Sequence, residues 1–297
     1  MPPVLFGLYF FGLPAIEMLV VAILVGGAAH AAARLGKQPL ELSPVIPALI
    51  GVALVGPGAS LAWSAGIALL ASLLELARAR FMPKARLDFG ILSYSVLFLA
   101  SRGALAAYLN PRTGVTMPEP IRLWLQFYGA GQNPVDVVKL YVGNVAGPVF
   151  ASSLLAVVVA AAWLWYAGRL SLLVVLTFGL GALFSIKLMG WSPAYHLVSG
   201  PLWFAAALVL ADRRTLPTSG LGRPLLGLAA GVVCMAARAR GNAIESVAIT
   251  VAALQLVVAL VEGVGWLIPN RSRLRDAARA ARAPGLATRL SQKPRTG

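Results

Sequence analysis

The chain has 297 residues, 59% of them hydrophobic and only 12% charged, with a mean hydropathy of +0.81. Soluble domains carry about 25% charged residues, so this composition excludes an ordinary soluble domain and indicates a polytopic membrane protein. The net charge of +15, from 25 Lys and Arg against 10 Asp and Glu, fits basic loops retained on the cytoplasmic side of a bilayer better than it fits nucleic-acid binding.

The opening MPPVLFGLYF has no basic n-region, so no cleavable signal is expected. Apolar runs then predict spans at Leu13–Ala33, Pro44–Gly56, Ala59–Leu76, Phe89–Ala107, Phe150–Ala167, Leu170–Ile186, His196–Ala211, Pro224–Ala237 and Ala243–Trp266, with Pro2–Phe11 as a further, truncated one. The charge-free runs Phe150–Gly168, Leu170–Ile186 and Met189–Ala211 approach the roughly 20 residues that cross about 30 Å of hydrocarbon as a helix. Barrel strands would instead alternate in polarity over about 10 residues. The expected fold class is therefore an all-α polytopic membrane protein with about nine or ten transmembrane helices. Residues 1–268 form a single membrane domain in this reading: a first half over 1–108, a periplasmic loop and re-entrant region over 109–149, and a second half over 150–268. Residues 269–297 are a basic cytoplasmic tail held near anionic lipid.

Basic clusters set the orientation. Ala33–Gln38, Arg78–Arg86, Asp212–Arg223 and the tail carry most of the Lys and Arg. Counting spans back from a cytoplasmic tail, or forward from a cytoplasmic Arg78–Arg86, puts Leu109–Val149 in the periplasm both times. ARARGN, at Ala237–Asn242, is the one basic stretch left outside. Within the outer region, EPIRLWLQFYGAG is expected as an interfacial helix with Trp124, Phe127 and Tyr128 at headgroup level. DVVKLYVGNVAGPVF is too short and glycine-rich for a span and suits a re-entrant half-helix.

The single Cys234, in an apolar run, excludes an intrachain disulfide or a cysteine-held cluster and reads as a small buried hydrophobe. A bis-histidine haem would consume both histidines, His30 and His196; His196, at a helix start, reads as a satisfied interfacial side chain. Glu245 opens the last long helix and Glu17 lies within an apolar span. For each, a candidate ion or proton path stands beside a structural role: a dipole-favoured charge for Glu245, a partner-satisfied acid for Glu17. TSGLGR, Thr218–Arg223, has the form of a loop ending at a helix start, with a phosphate cradle or second flavin site as the other reading. There is no G-x-x-x-x-G-K-[ST] or G-x-G-x-x-G motif, so no ATP or NADH site is expected.

Between two apolar regions lies NPRTGVTMPEP, Asn110–Pro120. Asn110, Thr113, Gly114, Val115 and Thr116 follow the pattern D-x-x-S-G-A-T with conservative changes. That pattern resembles the flavinylation site of the membrane flavoproteins of two respiratory complexes: the D subunit of the Rnf ferredoxin:NAD oxidoreductase and the B subunit of the sodium-pumping NADH:quinone oxidoreductase (Nqr). Tyr141–Ala156, His196–Arg223, Arg240–Glu262 and the first two helices are similar to further segments of that family, in the same order over most of the chain. The chain departs from the pattern in places: Asn110 replaces an acid, Val115 replaces a small residue, GPVFASS lacks a glutamate, and ADRRTLP keeps the aspartate without the D-P pair.

The resemblance implies an FMN joined by a phosphoester to Thr116, installed from FAD by a separate flavin transferase. A periplasmic covalent bond prevents loss of a flavin that would be slow to recapture. Pro111 and Gly114 would expose the hydroxyl, and Arg112, Arg122 and Arg102 would pair with the phosphate. It also implies two inverted repeats with short or broken helices, a bacterial inner-membrane location, and other membrane and periplasmic redox subunits as partners, with or without ion translocation. Two other readings stay open: a transporter similar to urea and ammonium channels, which share the repeat architecture, and a scaffold subunit without flavin.

Overall fold

The computed structural model describes residues 2–38, 40–83, 85–127, 135–241 and 243–267, with side chains to 262. The basic tail, Tyr128 and Asn242 lie outside the described residues. The described residues are all-α, the only strand-like pairings being isolated bridges Leu109–Thr116 and Leu170–Asp212. The helices are α1 (Pro2–Phe11), α2 (Leu13–Leu35), α3 (Val45–Val52), α4 (Leu61–Phe81), α5 (Phe89–Ala100), α6 (Pro120–Phe127), α7 (Val137–Val142), α8 (Leu154–Tyr166), α9 (Leu172–Leu188), α10 (Pro193–Leu197), α11 (Gly200–Trp203) running into a π-helical stretch Phe204–Leu210, α12 (Gly222–Ala239) and α13 (Glu245–Leu267). Among them α2, α4 and α13 are long and apolar enough to cross a bilayer; α1, α5, α8, α9 and Gly200–Leu210 are shorter apolar helices. Leu24, Leu69, Phe184 and Leu260 are exposed on the outside of the bundle, the face that a bilayer covers.

Several predicted spans prove to be broken helices. Phe89–Ala107 is α-helical only to Ala100, and Pro44–Gly56 only from Val45 to Val52. His196–Ala211 is two short helices and a π-stretch. The missing helical bonds are replaced across the middle of the molecule. Gly56 N donates to Leu105 O (2.9 Å), Gly58 N to Ala107 O (2.9 Å), Val149 N to Val55 O (2.9 Å) and Phe150 N to Ala53 O (3.1 Å). Ala53, Leu54, Val55, Val149, Phe150 and Ala151 are all buried. Non-helical backbone survives at membrane depth only where protein encloses it and satisfies its polar groups, and these segments satisfy each other. The re-entrant stretch expected over 136–150 is helical only in the six residues of α7. That helix ends at Gly143 in the left-handed region (φ 92°), with the Ser153 backbone so close that a Cβ would fall 2.6 Å from its Cα.

Close approach elsewhere also rests on missing Cβ atoms. α12 lies against α9 through Gly227, Gly231 and Gly181: a Cβ on Gly231 would collide with Phe178 O, and one on Gly227 would sit 2.7 Å from Val174 O. Without a hydrophobic drive between helices in lipid, such small-residue contacts provide the packing. Gly231→Ala should therefore force α12 off α9 at a cost of about 1–3 kcal/mol, lowering the melting midpoint in detergent. Gly27→Ala, where an added Cβ meets nothing within 4 Å, should leave the midpoint unchanged or raise it. Fluorescence-detected gel filtration after stepwise heating distinguishes the two.

Candidate functional site

After α5 the chain turns through Arg102 (φ 50°) and Gly103 (φ 95°), makes one 3-10 turn at Ala104–Ala106, and enters the loop of interest. There it doubles back on itself. Met117 N donates to Tyr108 O (3.0 Å), Asn110 N to Val115 O (2.9 Å) and Gly114 N to Asn110 O (2.9 Å), around the Leu109–Thr116 bridge. Asn110 Oδ1 accepts from Arg112 N (2.9 Å), an Asx turn that starts the reversal, and Thr113 Oγ1 accepts from Val115 N (3.4 Å). Gly114 completes it at φ +66°, a conformation that a side chain would strain. The sequence Asn-Pro-x-Thr-Gly thus encodes a tight hairpin, and Thr116 is exposed on its returning arm.

Beside Thr116 opens a hollow of about 310 Å³, lined by Tyr108, Met117, Pro118, Glu119 and Arg122 among others. Glu119 precedes α6, and its Oε2 accepts from Arg122 N (2.8 Å), capping the helix. The Arg122 Nη2 donates to Glu245 Oε1 at 2.8 Å, while its Nε lies 3.6 Å from Glu119 Oε1. Both carboxylates are buried, whereas the Arg122 side chain is 41% exposed. Burial pushes the Glu119 carboxyl up to about 7, with the Glu245 charge adding to the rise; the Arg122 N–H, the Arg122 guanidinium and Arg238 oppose it. Deeper still, Arg238 of α12 is fully buried and donates from Nη1 to His196 O (3.2 Å). The His196 ring lies between Trp124 (4.4 Å) and Trp191 (4.6 Å), and Tyr195 Oη donates to Pro120 O (3.0 Å).

Asn110, Thr113, Gly114 and Thr116 therefore share one hairpin. Of the three arginines considered for a phosphate, Arg122 lines the Thr116 hollow. Arg112 faces a second hollow of about 220 Å³ on the other flank, with Lys139 and Asn144. Arg102 is exposed in the turn after α5 and lines neither. Glu245 is buried in the first turn of α13 and joined to Arg122, so it combines the helix-terminal and the site-facing positions. Glu17 is exposed on the outside of α2. Trp124, expected at headgroup level, is buried against Trp191 because α6 folds inward onto α10, while Phe127 of the same helix stays exposed. Thr218 donates from N (2.8 Å) and Oγ1 (3.0 Å) to Glu262 and lines a cleft of about 850 Å³ at the other end of α4 and α5, with Glu75, Arg78, Arg86, Asp88 and Arg214.

Glu119 carried no separate signal in the sequence beyond its i,i+3 spacing to Arg122. Its raised pKa has a defined consequence. The folded state holds the proton more tightly than the unfolded chain, where the carboxyl has its ordinary value near 4.5. The favourable contribution is complete below about pH 4.5 and is lost as pH rises through about 7, on the order of 3 kcal/mol in all. Asp88, buried at the N-cap of α5 and raised to about 6, acts in the same direction. Glu119→Gln should thus reduce, without abolishing, the drop in melting midpoint between pH 5 and pH 8 in detergent. An unchanged drop would show that Glu119 is not protonated in this range.

No individual curated protein matches the chain. The hairpin, the broken helices and the apolar exterior belong to a membrane protein, and residues 1–264 match one family of membrane subunits. The chain belongs to the NQR2, RnfD, RnfE family and is a membrane subunit of the Rnf/Nqr type.

Proposed function

We propose that the chain relays electrons through an FMN esterified by its phosphate to Thr116. The observation that carries this reading is the placement of an exposed threonine hydroxyl on a glycine-dependent hairpin, at the rim of a hollow whose guanidinium is held in place from behind. The residues fit the group. Thr116 offers the hydroxyl, Arg122 offers a charge-assisted donor for the phosphate, and Glu119, with its pKa near 7, sheds the repulsion that a fixed carboxylate would exert. Attachment forms one P–O bond to the Thr116 oxygen and breaks the pyrophosphate of FAD. AMP leaves, the threonine proton is released, and a flavin transferase supplies the catalysis. When bound, the flavin takes and returns electrons one at a time.

The protein side of this relay is positional. The Asx turn at Asn110 and the left-handed Gly114 present the hydroxyl, while the hydrogen-bonded carbonyls of Leu105 and Ala107 anchor the hairpin to the bundle. With Arg78–Arg86 and Asp212–Arg223 on the cytoplasmic side of a bacterial inner membrane, the hairpin faces the periplasm, where a donor or acceptor subunit meets the flavin. Glu245, tied to Arg122, is the residue through which an ion or proton step would be linked to this site; Glu17 lies on the lipid-facing side of α2.

Co-expression with a flavin transferase should add the mass of one FMN less one water to the intact chain and give in-gel flavin fluorescence. Thr116→Ala should lose both, and Thr113→Ala should keep both. A wild-type chain at its encoded mass under these conditions overturns the reading and leaves a non-redox scaffold or transport role.

A further inference from the structure

Arg122 is held in an unusual way for a residue at a rim. A half-exposed arginine ordinarily samples many rotamers, and surface ion pairs hold it weakly. Here both carboxylates that hold it are buried, at 0% (Glu119) and 4% (Glu245) exposure, so the restraint is shielded from water and salt. They engage Nη2 and approach Nε, leaving Nη1 unengaged by either carboxylate, and Arg122 lines the same hollow as Thr116. The four charges at this corner are Glu119, Glu245, Arg122 and Arg238, two of each sign, so the cluster is neutral when all are ionised. One oxygen of each carboxylate, Glu119 Oε1 and Glu245 Oε2, has no hydrogen-bond partner among the described residues.

A phosphodiester at Thr116 would add one negative charge to this neutral corner. The least costly compensation is a proton on the carboxyl that shares the hollow. Besides Arg122 from α6, the groups facing Glu119 are Glu245 of α13, Arg238 of α12, Tyr195 of α10, Tyr94 of α5, and Tyr108 in the loop. Of these groups, Arg122 alone touches both carboxylates.

Building on the flavin reading, we infer that Arg122 is the phosphate-binding group of the Thr116 hollow, that Glu119 and Glu245 are positioning residues that aim it, and that Glu119 is protonated in the phosphate ester, taking up a proton wherever the pH leaves it ionised beforehand. The proton comes from bulk water and resides on Glu119; no electron is exchanged in this step. Arg112 and Arg102 stand outside the hollow and contribute little.

The test uses the purified full-length apo chain in detergent with purified flavin transferase and FAD, with initial rates of flavin incorporation read by intact mass and in-gel fluorescence at pH 6 and pH 8. Arg122→Gln/Glu245→Gln removes both charges of the pair, a change that buried pairs often tolerate. It should incorporate flavin at least tenfold more slowly than wild type while eluting as wild type does. Arg122→Lys keeps the ion pair but not the planar fork and should fall severalfold, whereas Arg112→Gln and Arg102→Gln should change less than twofold. The wild-type rate divided by the Glu119→Gln rate, in which the transferase's own pH dependence cancels, should fall about tenfold from pH 6 to pH 8.

Incorporation by the double variant at the wild-type rate overturns the role of Arg122. Should the double variant aggregate, Arg122→Lys at the wild-type rate does the same. A wild-type to Glu119→Gln ratio that is flat with pH overturns the proton step. A wild-type chain that takes no flavin at either pH is a different result and removes the flavin reading itself.

Discussion

The backbone exchange among residues 53–58, 105–107 and 149–150 is the constraint on which the rest of the structure depends. A helix satisfies its own amides wherever it is placed, but these segments cannot. Each N–H and C=O withdrawn from helical bonding must find a partner inside the bundle, since lipid offers none. Gly56, Gly58, Val149 and Phe150 find theirs on Leu105, Ala107, Val55 and Ala53. Residues 53–58 bond to both of the other segments, so moving them would strand polar groups on each, and moving either of the others would strand groups on 53–58. The surrounding contacts are correspondingly close. α1 crosses at Gly7, where a Cβ would collide with Val149 O, and α11 begins at Gly200, where a Cβ would collide with Ser152 O.

That central exchange also determines where the hairpin emerges. The segment whose Leu105 O and Ala107 O accept from Gly56 N and Gly58 N continues directly into Tyr108, whose carbonyl accepts from Met117 N. From the buried exchange to the exposed Thr116 there is no flexible linker, only hydrogen-bonded backbone. The same holds on the return path, since Met117 and Pro118 lead at once into the Glu119 cap of α6, and α6 is seated by Trp124 against Trp191 and His196. An exposed hydroxyl is thereby held on a rigid frame, as a site for a covalently carried group requires.

What could be read from the sequence followed from local rules. The all-α class came from hydropathy, and an exposed turn before Thr116 from Pro111 and Gly114, whose backbone preferences are local. A helix over 120–127 was legible as well, though not the burial of its Trp124. The broken helices were legible only in part: Pro44–Gly56 is apolar throughout and Phe89–Ala107 mostly so, and hydropathy does not record where a helix gives way to a non-helical segment whose partners lie about 50–100 residues away in sequence. The inward turn of Trp124 was missed because an aromatic residue near a membrane surface carries the same signal whether it faces headgroups or a neighbouring indole. Glu119 was missed because its burial is made by α6, α12 and α13 together.

The charge cluster follows from the same geometry. A lone buried carboxylate would be neutralised or excluded, and removing one partner of a buried pair typically costs about 3–5 kcal/mol. Glu245 can therefore sit at 4% exposure in the first turn of α13 only because Arg122 reaches it from α6. Arg122 reaches it only because Glu119 fixes the start of α6. Arg238 on α12 adds the second positive charge behind them, bonded to the His196 carbonyl. The ion pairs thus tie the starts of α6 and α13 together, with Arg238 at the end of α12 facing Glu119 and Glu245 electrostatically. Most of the cluster is enclosed by apolar side chains, and the half-exposed guanidinium of Arg122 is where it meets the hollow. Any anion brought to Thr116 is consequently felt by the whole cluster, and a change of protonation within the cluster alters the charge that Arg122 presents to that anion.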